Sequence, residues 1–174
     1  MSLPDWRERP IDKQHDRKGF DCGSEALNRF LREQARQSHA RGGAKTFIAT
    51  DAAERAIFGF YTLAPAEIGF DQVPETLRQG LGRYPIGGFR LARLAVDKRH
   101  HGAGLGGQLL LAAGRRCLRV ASEIGGTLLF IDAKDARAAE WYARYGAVPL
   151  RDGDKLALVI ALATIADALK AKPG

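Results

Sequence analysis

Residues 89–110 read FRLARLAVDKRHHGAGLGGQLL, an apolar run followed by a short polar stretch, four glycines and a leucine-rich segment. The apolar run is typical of a β-strand, and the leucines after the last glycine are typical of the start of a helix. Glycines at that place leave the backbone uncovered at a helix N-terminus, where several amide groups lack a partner. The stretch therefore predicts a loop that binds an anionic group, with an ordinary glycine-rich turn as the alternative.

Three kinds of phosphate-binding loop contain glycines at similar spacing. The G-x-G-x-x-G pattern of dinucleotide-binding folds is matched formally, but the residues DKRHH separate the strand from Gly102, and Asp132 lies thirty residues beyond that glycine. Dinucleotide-binding folds place the glycine directly after the strand and the acid about twenty residues on. A P-loop would need Gly-Lys followed by Ser or Thr, and the sequence has none here. Arg99, Gly102 and Gly104 instead form R-x-x-G-x-G, which predicts a cradle for the pyrophosphate of coenzyme A.

The composition restricts the class of protein. A chain of 174 residues that is 45% hydrophobic and 27% charged predicts one globular domain spanning residues 1–174. No apolar run approaches the ~20 residues of a membrane span and the N-terminus is polar, so we expect a cytoplasmic protein. The two cysteines are too few for a disulfide framework, and Cys117 is interpreted as a small buried hydrophobe. No metal site is expected, because no carboxylate or thiol accompanies His100 and His101 at ligand spacing.

Positive charge is concentrated in one part of the sequence. Residues 83–119 contain eight basic residues and one acid, so this basic stretch alone accounts for the net charge of +7. Such a field attracts phosphates on a cofactor or on a nucleic acid, although a solvated basic surface is the alternative. A helix capped by Ser24 and running to about His39 adds an arginine stripe opposite its apolar face, formed by Arg29, Arg32 and Arg36.

The remaining segments predict a mixed α/β fold. Residues 45–51 and 56–68 are predicted to form two strands joined by a turn, with Pro65 marking the frayed end of the second, and residues 69–88 hold at most one short helix. After the glycine loop we expect a helix that stops at Gly125, a buried strand over 127–133, a helix that ends at Gly146, and a final strand that turns helical over 155–169. Strands alternating with helices in this order favour a mixed sheet with helices packed on it.

Two long segments resemble a known superfamily. Residues 89–110, followed by TLLFIDAKDARAAEWYARYGAVPL, are similar to the acetyl-CoA-binding core of the GCN5-related N-acetyltransferase (GNAT) superfamily. FDCGSEALNRFLREQARQ, YTLAPAEI and LATIADAL resemble the branch that includes the acetyltransferase toxins of bacterial toxin–antitoxin pairs. The resemblance implies a mixed, mostly antiparallel sheet with a splayed central strand pair and flanking helices. It also implies acetyl-CoA as the acetyl donor.

The same resemblance implies roles for individual residues. Tyr142 matches the tyrosine of the family's aromatic-Tyr-x-x-x-Gly pattern, which implies that its phenol protonates the departing thiolate; packing as a core aromatic is the alternative, and Tyr145 is interpreted as structural. Ala147 departs from the family, where relatives often carry phenylalanine. The backbone of the strand before the loop is implied to pair with the pantetheine arm and to stabilise an oxyanion. The cofactor-binding residues implied in all are Leu94, Ala95, Val96, Arg99, His100, Gly102, Gly104, Leu105, Gly106, Gly107 and Asp135.

The lack of a recognisable general base bears on which amine is the acceptor. No motif identifies a general base, and only Glu67 is nominated for that role. A lysine side chain with a pKa of about 10.4 would need deprotonation, whereas an α-amine at about 7.7–8.0 is already partly neutral at cellular pH. This mildly favours an α-amino acceptor. The candidate acceptor-side residues are Arg29, Arg32, Arg36 and Arg93.

Three functions remain open from the sequence. The toxin branch implies acetylation of the amino group of aminoacyl-tRNA, with a small ribbon–helix–helix antitoxin as partner. A housekeeping acetyltransferase for a small amine, a peptide or a protein N-terminus needs only the cofactor motif. A non-catalytic coenzyme A-binding module is the third, which Tyr142 and the intact loop disfavour. The sequence leaves a homodimer open.

Overall fold

The computed structural model describes residues 2–151 and 153–171. Both ends of the predicted domain, residues 1 and 174, lie outside this part. The strands are β1 (Arg7–Pro10), β2 (Lys45–Thr50), β3 (Ile57–Ile68), β4 (Ile86–Val96), β5 (Leu128–Asp132), β6 (Val148–Pro149) and β7 (Ala157–Ala161). The α-helices are α1 (Glu25–Glu33), α2 (Ala35–Arg41), α3 (Glu75–Arg78), α4 (Leu105–Ile124), α5 (Ala136–Ala143) and α6 (Leu162–Ala171).

The strands form one sheet in the order β1-β2-β3-β4-β5-β7-β6. The pairs β1–β2, β2–β3, β5–β7 and β6–β7 are antiparallel, whereas β4 and β5 are parallel. The register of β4 with β5 covers Gly88–Leu91, and β4 then continues to Val96. The predicted mixed, mostly antiparallel sheet with flanking helices is therefore confirmed. Within the part of the chain just defined, no helix is both long and apolar enough to cross a membrane.

Residue contacts divide the chain into two units, of which the first holds the residues up to Ala64 together with Ala92–Ala112. Its core joins the apolar face of α1 to strands β2, β3 and β4. Phe30 stacks on Phe60 at 6.2 Å, and Phe20 meets the same ring edge-on at 5.5 Å. Gly59 allows α4 to approach β3, because a Cβ there would lie 2.8 Å from Leu109 Cδ1 and 2.9 Å from the carbonyl oxygen of Ala95.

The second unit holds Pro65–Leu91 and the residues from Ala113 onward. Its core contains Ile68, Val73, Ile86, Leu128, Phe130 and Val159. Helices α4 and α6 touch where α4 has a glycine: a Cβ on Gly114 would lie 2.4 Å from Ile165 Cγ2. Cys117 is buried, as expected, and burial raises the pKa of its thiol to about 12.

Some predicted elements differ from the structure. The helix predicted from Ser24 to about His39 is broken at Gln34, whose ψ of −35° and φ of −124° separate α1 from α2. Ser24 does cap α1, since its side chain accepts a hydrogen bond from the Leu27 amide. Strand β3 runs to Ile68, as predicted, and its ladder with β2 stops at Leu63, two residues before Pro65, which agrees with a frayed end there. Strands β1 and β6 were not predicted.

Candidate active site

The segment after β4 is organised by a buried carboxylate. Asp97 is 1% exposed, and its oxygens accept hydrogen bonds from the Arg99 amide, from Arg99 Nε and Nη2 and from the Asp21 amide, at 2.9–3.1 Å. Burial by itself opposes ionisation of Asp97. The hydrogen bonds from Arg99 and the two amides outweigh it together and hold the pKa of Asp97 below its usual value. A charged carboxylate therefore joins the start of the loop to the segment before α1.

A second ion pair supports the same connection. Lys98 Nζ lies 2.9 Å from Asp21 Oδ2, and the Lys98 amide donates to the Asp21 carbonyl at 2.8 Å. The hydrogen bond from Lys98 holds the pKa of Asp21 well below its usual range, and the same contact raises the pKa of Lys98. Asn28 accepts from the Cys22 amide and donates to Asp21, so α1 is part of this network. Sequence analysis missed Asp21, Asn28 and Asp97, although a buried Asn in an apolar helix face was a usable signal.

The glycines of the loop have backbone conformations that other residues disfavour. Gly102 has a φ of +79° and Gly104 a φ of +89°, and a Cβ at either position would meet no atom within 4 Å. Glycine is therefore required there by backbone angle, and the space beside it is open. The first hydrogen bond of α4 runs from the Gln108 amide to the Gly104 carbonyl, so the amides of Leu105, Gly106 and Gly107 precede it. Open space at a helix N-terminus with uncommitted amides fits a pyrophosphate.

The two histidines of the loop have different surroundings. His100 packs its ring against Phe58 at 4.7 Å between centroids. His101 is exposed, and its Nε2 hydrogen-bonds the carbonyl oxygen of Val96 at 2.7 Å. Within residues 2–151 and 153–171, no group of three or more His, Cys, Asp or Glu side chains is arranged to hold a metal ion.

Strand β4 reaches the loop with its side chains on alternate faces. Ala95 is buried in the core of the first unit, while Leu94 and Val96 are half-buried. Arg93 lies with its guanidinium carbon 3.7 Å from the centroid of the Phe30 ring, a cation–π contact that fixes the charge over α1.

Tyr142 belongs to the second unit, at the C-terminal end of α5. The residue is 5% exposed, and burial, with a smaller contribution from Asp132, raises the pKa of its phenol far above the usual value. Trp141 contacts Tyr142 edge-on at 5.0 Å and Tyr145 at 4.9 Å. Tyr142 is therefore a neutral phenol throughout the physiological pH range, and the more exposed Tyr145 supports the far side of Trp141.

Three further residues of this unit were singled out from the sequence. Asp135 caps α5, because its Oδ1 accepts a hydrogen bond from the Ala138 amide at 2.8 Å. Ala147, where relatives often carry phenylalanine, is buried. Glu67, the nominated base, is exposed near the end of β3.

The arginine stripe is less uniform than its spacing predicts. Arg29 and Arg36 are exposed, as expected for the polar face of α1 and α2. Arg32 is half-buried and forms an ion pair with Glu25 at 2.9 Å, so part of its charge is neutralised. The structure thus leaves Arg29 and Arg36 as the two exposed cations of the stripe.

The chain is similar to several characterised acetyltransferase toxins. It is 31% identical over 137 residues to a tRNA-acetylating toxin of Mycobacterium tuberculosis, and the match covers 79% of this chain and 81% of the relative. Among solved structures, AtaT complexed with acetyl-methionyl-tRNAfMet superposes with a TM-score of 0.87 at 26% identity, covering 95% of this chain and 99% of that one. An AtaT variant bound to the C-terminus of the antitoxin AtaR and to acetyl-CoA superposes with a TM-score of 0.81 at 26% identity, covering 97% and 100%.

No protein-family model matches the sequence. The identity with the M. tuberculosis toxin nevertheless extends over most of both chains, and the fold agrees with that of AtaT over nearly their whole lengths. The chain therefore belongs to the tRNA-acetylating toxins, acetyl-CoA-dependent acetyltransferases of the GNAT superfamily.

Proposed function

We propose that this protein transfers an acetyl group from acetyl-CoA to the α-amino group of an aminoacyl-tRNA and thereby stops translation. The observation that carries the proposal is the 31% identity to a tRNA-acetylating toxin over 81% of that relative. The loop after β4 supports it, because its open glycines and uncommitted amides fit the donor's pyrophosphate.

In the donor site, the amides of Leu105, Gly106 and Gly107 and the backbone of Gly102 and Gly104 hold the pyrophosphate. Arg99 donates two side-chain hydrogen bonds to Asp97, so its main role is to fix the loop. Its contribution of positive charge near the phosphates is secondary, because Asp97 neutralises part of that charge. Leu94, Ala95 and Val96 offer their backbone to the pantetheine arm, and an amide there stabilises the oxyanion. His100 is proposed to line the donor site. Asp135 caps α5, and its proposed contribution to cofactor binding is to hold the start of that helix.

In the transfer step, acetyl-CoA supplies an acetyl group activated as a thioester. Tyr142 gives its phenolic proton to the sulfur as the C–S bond breaks and the C–N bond forms. It regains a proton that the acylated nitrogen releases. A buried phenol with a raised pKa suits this role, because it stays protonated until the thiolate develops.

The proposed acceptor is an amine that needs no strong base. An α-amino group is already partly neutral at cellular pH, whereas a lysine side chain is not. Arg29, Arg36 and Arg93 are the proposed contacts to the RNA phosphates, and Arg32 adds a weaker contribution because of Glu25.

The test uses radiolabelled acetyl-CoA with a charged tRNA, the same tRNA after deacylation, and lysine-containing peptides. We expect label only in the charged tRNA and its release with the amino acid on mild alkaline hydrolysis of the ester. Label in the peptides, without label in charged tRNA, would replace the proposal with a housekeeping acetyltransferase. The non-catalytic alternative predicts no transfer to any acceptor.

The proposal includes partners and a cellular context. We infer a small ribbon–helix–helix antitoxin that neutralises the toxin, and an acidic antitoxin tail would be attracted by the basic stretch of residues 83–119. The toxin acts in the cytoplasm as one catalytic domain, either as a monomer or as a homodimer. Co-purification from the native host, followed by mass measurement of the intact complex, reports the antitoxin and the number of toxin copies together.

A further inference from the structure

A cleft in the second unit lies outside the donor and acceptor contacts proposed above, although Arg83 in its wall belongs to the basic stretch of residues 83–119. It has a volume of about 460 Å³ and lies between the end of β3 and the start of β4. Its wall includes Phe70, Asp71, Arg78, Arg83 and Tyr84. The volume is within the range of about 300–1,000 Å³ that small-ligand sites occupy.

One wall of the cleft carries a fixed positive charge. Arg78 Nε donates to the Val73 carbonyl at 2.7 Å, and Arg78 Nη2 donates to the Asp71 carbonyl at 2.9 Å. The guanidinium carbon also lies 4.8 Å from the centroid of the Phe70 ring. These contacts hold the guanidinium in one orientation, so binding an anion would cost little side-chain entropy.

A second wall is an exposed aromatic ring. Tyr84 is 75% exposed, which is unusual for so large an apolar surface. The ring lies over Gly82, because a Cβ at that position would be 2.8–2.9 Å from two ring carbons and would meet no other group within 4 Å. The absence of a side chain at Gly82 therefore leaves room for the ring, which offers a flat surface for stacking.

The charges of the cleft match one class of ligand. Arg83 is exposed, and within residues 2–151 and 153–171 no hydrogen bond or ion pair engages it. Two guanidinium groups with one carboxylate, Asp71, suit a ligand that has a single negative group beside a hydrogen-bond donor. A nucleotide combines a planar base, N–H donors on that base and one phosphate in a single unit, whereas the side chain of Asp or Glu in an acidic peptide carries its charge without an aromatic ring beside it.

We propose that this cleft binds an unpaired nucleotide of the RNA acceptor, with its base stacked on Tyr84 and its phosphate against Arg83 and Arg78. The assignment of the ligand as RNA rests on the proposed function. The stacking surface recognises any base that is not paired, and the two arginines recognise the backbone, so the site selects single-stranded over duplex RNA.

The test measures binding directly, by fluorescence anisotropy with a labelled single-stranded RNA of about ten nucleotides and with a blunt RNA duplex of equal charge. We expect Tyr84→Ala to raise the Kd for the single strand about tenfold and to leave the Kd for the duplex within about twofold. Gly82→Ala should have a similar but smaller effect, because it displaces the ring without removing it. Arg83→Gln should weaken both probes and reduce the salt dependence.

Two control variants separate the cleft from general effects. Ile124→Ala removes another exposed apolar side chain, and Lys170→Gln removes an exposed positive charge of the same unit outside the basic stretch. Both should bind the single strand like the wild type, or with a much smaller loss than the cleft variants. With charged tRNA as acceptor, Tyr84→Ala should raise KM and leave kcat unchanged.

The outcomes distinguish this proposal from the proposed function. If the wild type acetylates charged tRNA and Tyr84→Ala binds the single strand normally, the cleft proposal alone is overturned. If Tyr84→Ala loses affinity for an antitoxin peptide and keeps its affinity for RNA, the cleft belongs to the antitoxin. If the wild type neither binds RNA nor acetylates charged tRNA, both proposals are overturned.

Discussion

At the scale of single residues, the structure holds two ionisable groups in opposite states. Asp97 is buried and charged, because hydrogen bonds from Arg99 and from the backbone offset the loss of water. Tyr142 is buried and neutral, because burial and the nearby charge of Asp132 both oppose ionisation. The sequence motif identified Tyr142 but not Asp97, since a lone Asp after a strand is too common to stand out.

Replacing Tyr142 by phenylalanine tests the role of its proton. Tyr142→Phe removes one hydroxyl and little volume, so kcat should fall by roughly 10²–10⁴-fold while the Kd for acetyl-CoA is nearly unchanged. Tyr145→Phe is the matched control and should retain turnover, since Tyr145 touches Trp141 from its outer side. Steady-state kinetics with charged tRNA and calorimetric titration with acetyl-CoA measure the two quantities. Normal turnover of Tyr142→Phe would make the residue purely structural.

Replacing Asp97 by asparagine tests the charge that organises the loop. Asp97→Asn should lower the free energy of unfolding at pH 7 by about 1–2 kcal/mol, because charge-assisted hydrogen bonds are lost. The loss is no larger because Arg99 is mostly exposed to solvent, which screens its charge. Folding lowers the pKa of Asp97, so the charged form stabilises the native state above an unfolded pKa of about 3.9 and loses this effect below it. The difference from wild type should therefore shrink below about pH 4.

Thermal unfolding between pH 7 and pH 3 measures this difference, with Asp167→Asn as the control for loss of an exposed carboxylate. A difference that stays constant or grows on acidification contradicts the assignment of Asp97 as a charged acceptor.

At the scale of elements, sequence periodicity predicted long segments well and short ones poorly. Helix α4 and the final strand followed by helix α6 match their predictions, because each has many apolar residues at one period. Strand β1 has the sequence RERP and carries no apolar residue except its proline, so only its pairing with β2 makes it a strand. The break at Gln34 was equally invisible, because Gln is compatible with a helix interior.

The start of α4 predicts which ligand stabilises the protein. Acetyl-CoA at a hundredfold excess over Kd should stabilise the native state by about 2.7 kcal/mol and raise Tm, and NADH should not. Gly104→Asp should abolish this shift, because it places a carboxylate beside the predicted pyrophosphate. Gly42→Asp is the matched control, since Gly42 has a φ of +79° and equally open space but caps α2 instead. Differential scanning fluorimetry measures the Tm of the wild type and of both variants with each ligand. A shift with acetyl-CoA that survives in Gly104→Asp excludes the loop as the phosphate site.

The contact of α4 with α6 predicts a specific packing defect. Alanine normally stabilises a helix interior relative to glycine by about 1 kcal/mol, but a Cβ on Gly114 would lie 2.4 Å from Ile165. We expect overpacking to dominate, so that Gly114→Ala lowers the free energy of unfolding by about 1–3 kcal/mol. In the Ile165→Ala background the same substitution should be neutral or stabilising. Chemical denaturation of the four proteins in this cycle measures the coupling, and additive effects would contradict the contact.

At the scale of the whole molecule, charge distribution was readable from the sequence but pairing was not. The excess of positive charge in residues 83–119 follows from counting. Counting does not show which arginines stay exposed. Arg32 pairs with Glu25, seven residues earlier on the same helix, and Arg93 stacks on the ring of Phe30, which is distant in sequence. Binding surfaces are therefore predicted as regions, and their individual contacts need the folded chain.

The exposed arginines predict the salt dependence of tRNA binding. Each phosphate contact contributes a slope of about −0.7 to −0.9 in log Kobs against log salt concentration. Arg29→Gln with Arg36→Gln should flatten the slope by roughly 1.5, whereas Arg32→Gln should change it less because Glu25 already neutralises part of its charge. Arg115→Gln with Arg119→Gln gives a control of equal charge. Equal slopes for the two double variants would mean that only total charge matters.

The backbone angles at Gly102 and Gly104 also have a genetic consequence. Every missense change of a glycine codon introduces a Cβ, and at these two positions that atom strains a left-handed backbone inside the loop. Cells that express the protein without the antitoxin inferred above should survive only by inactivating it. Survivors should therefore accumulate missense changes at these two codons and not at that of Gly42, which has the same backbone angle outside the loop. The proposed pyrophosphate loop is thus also expected to be a small, well-defined target for escape mutations.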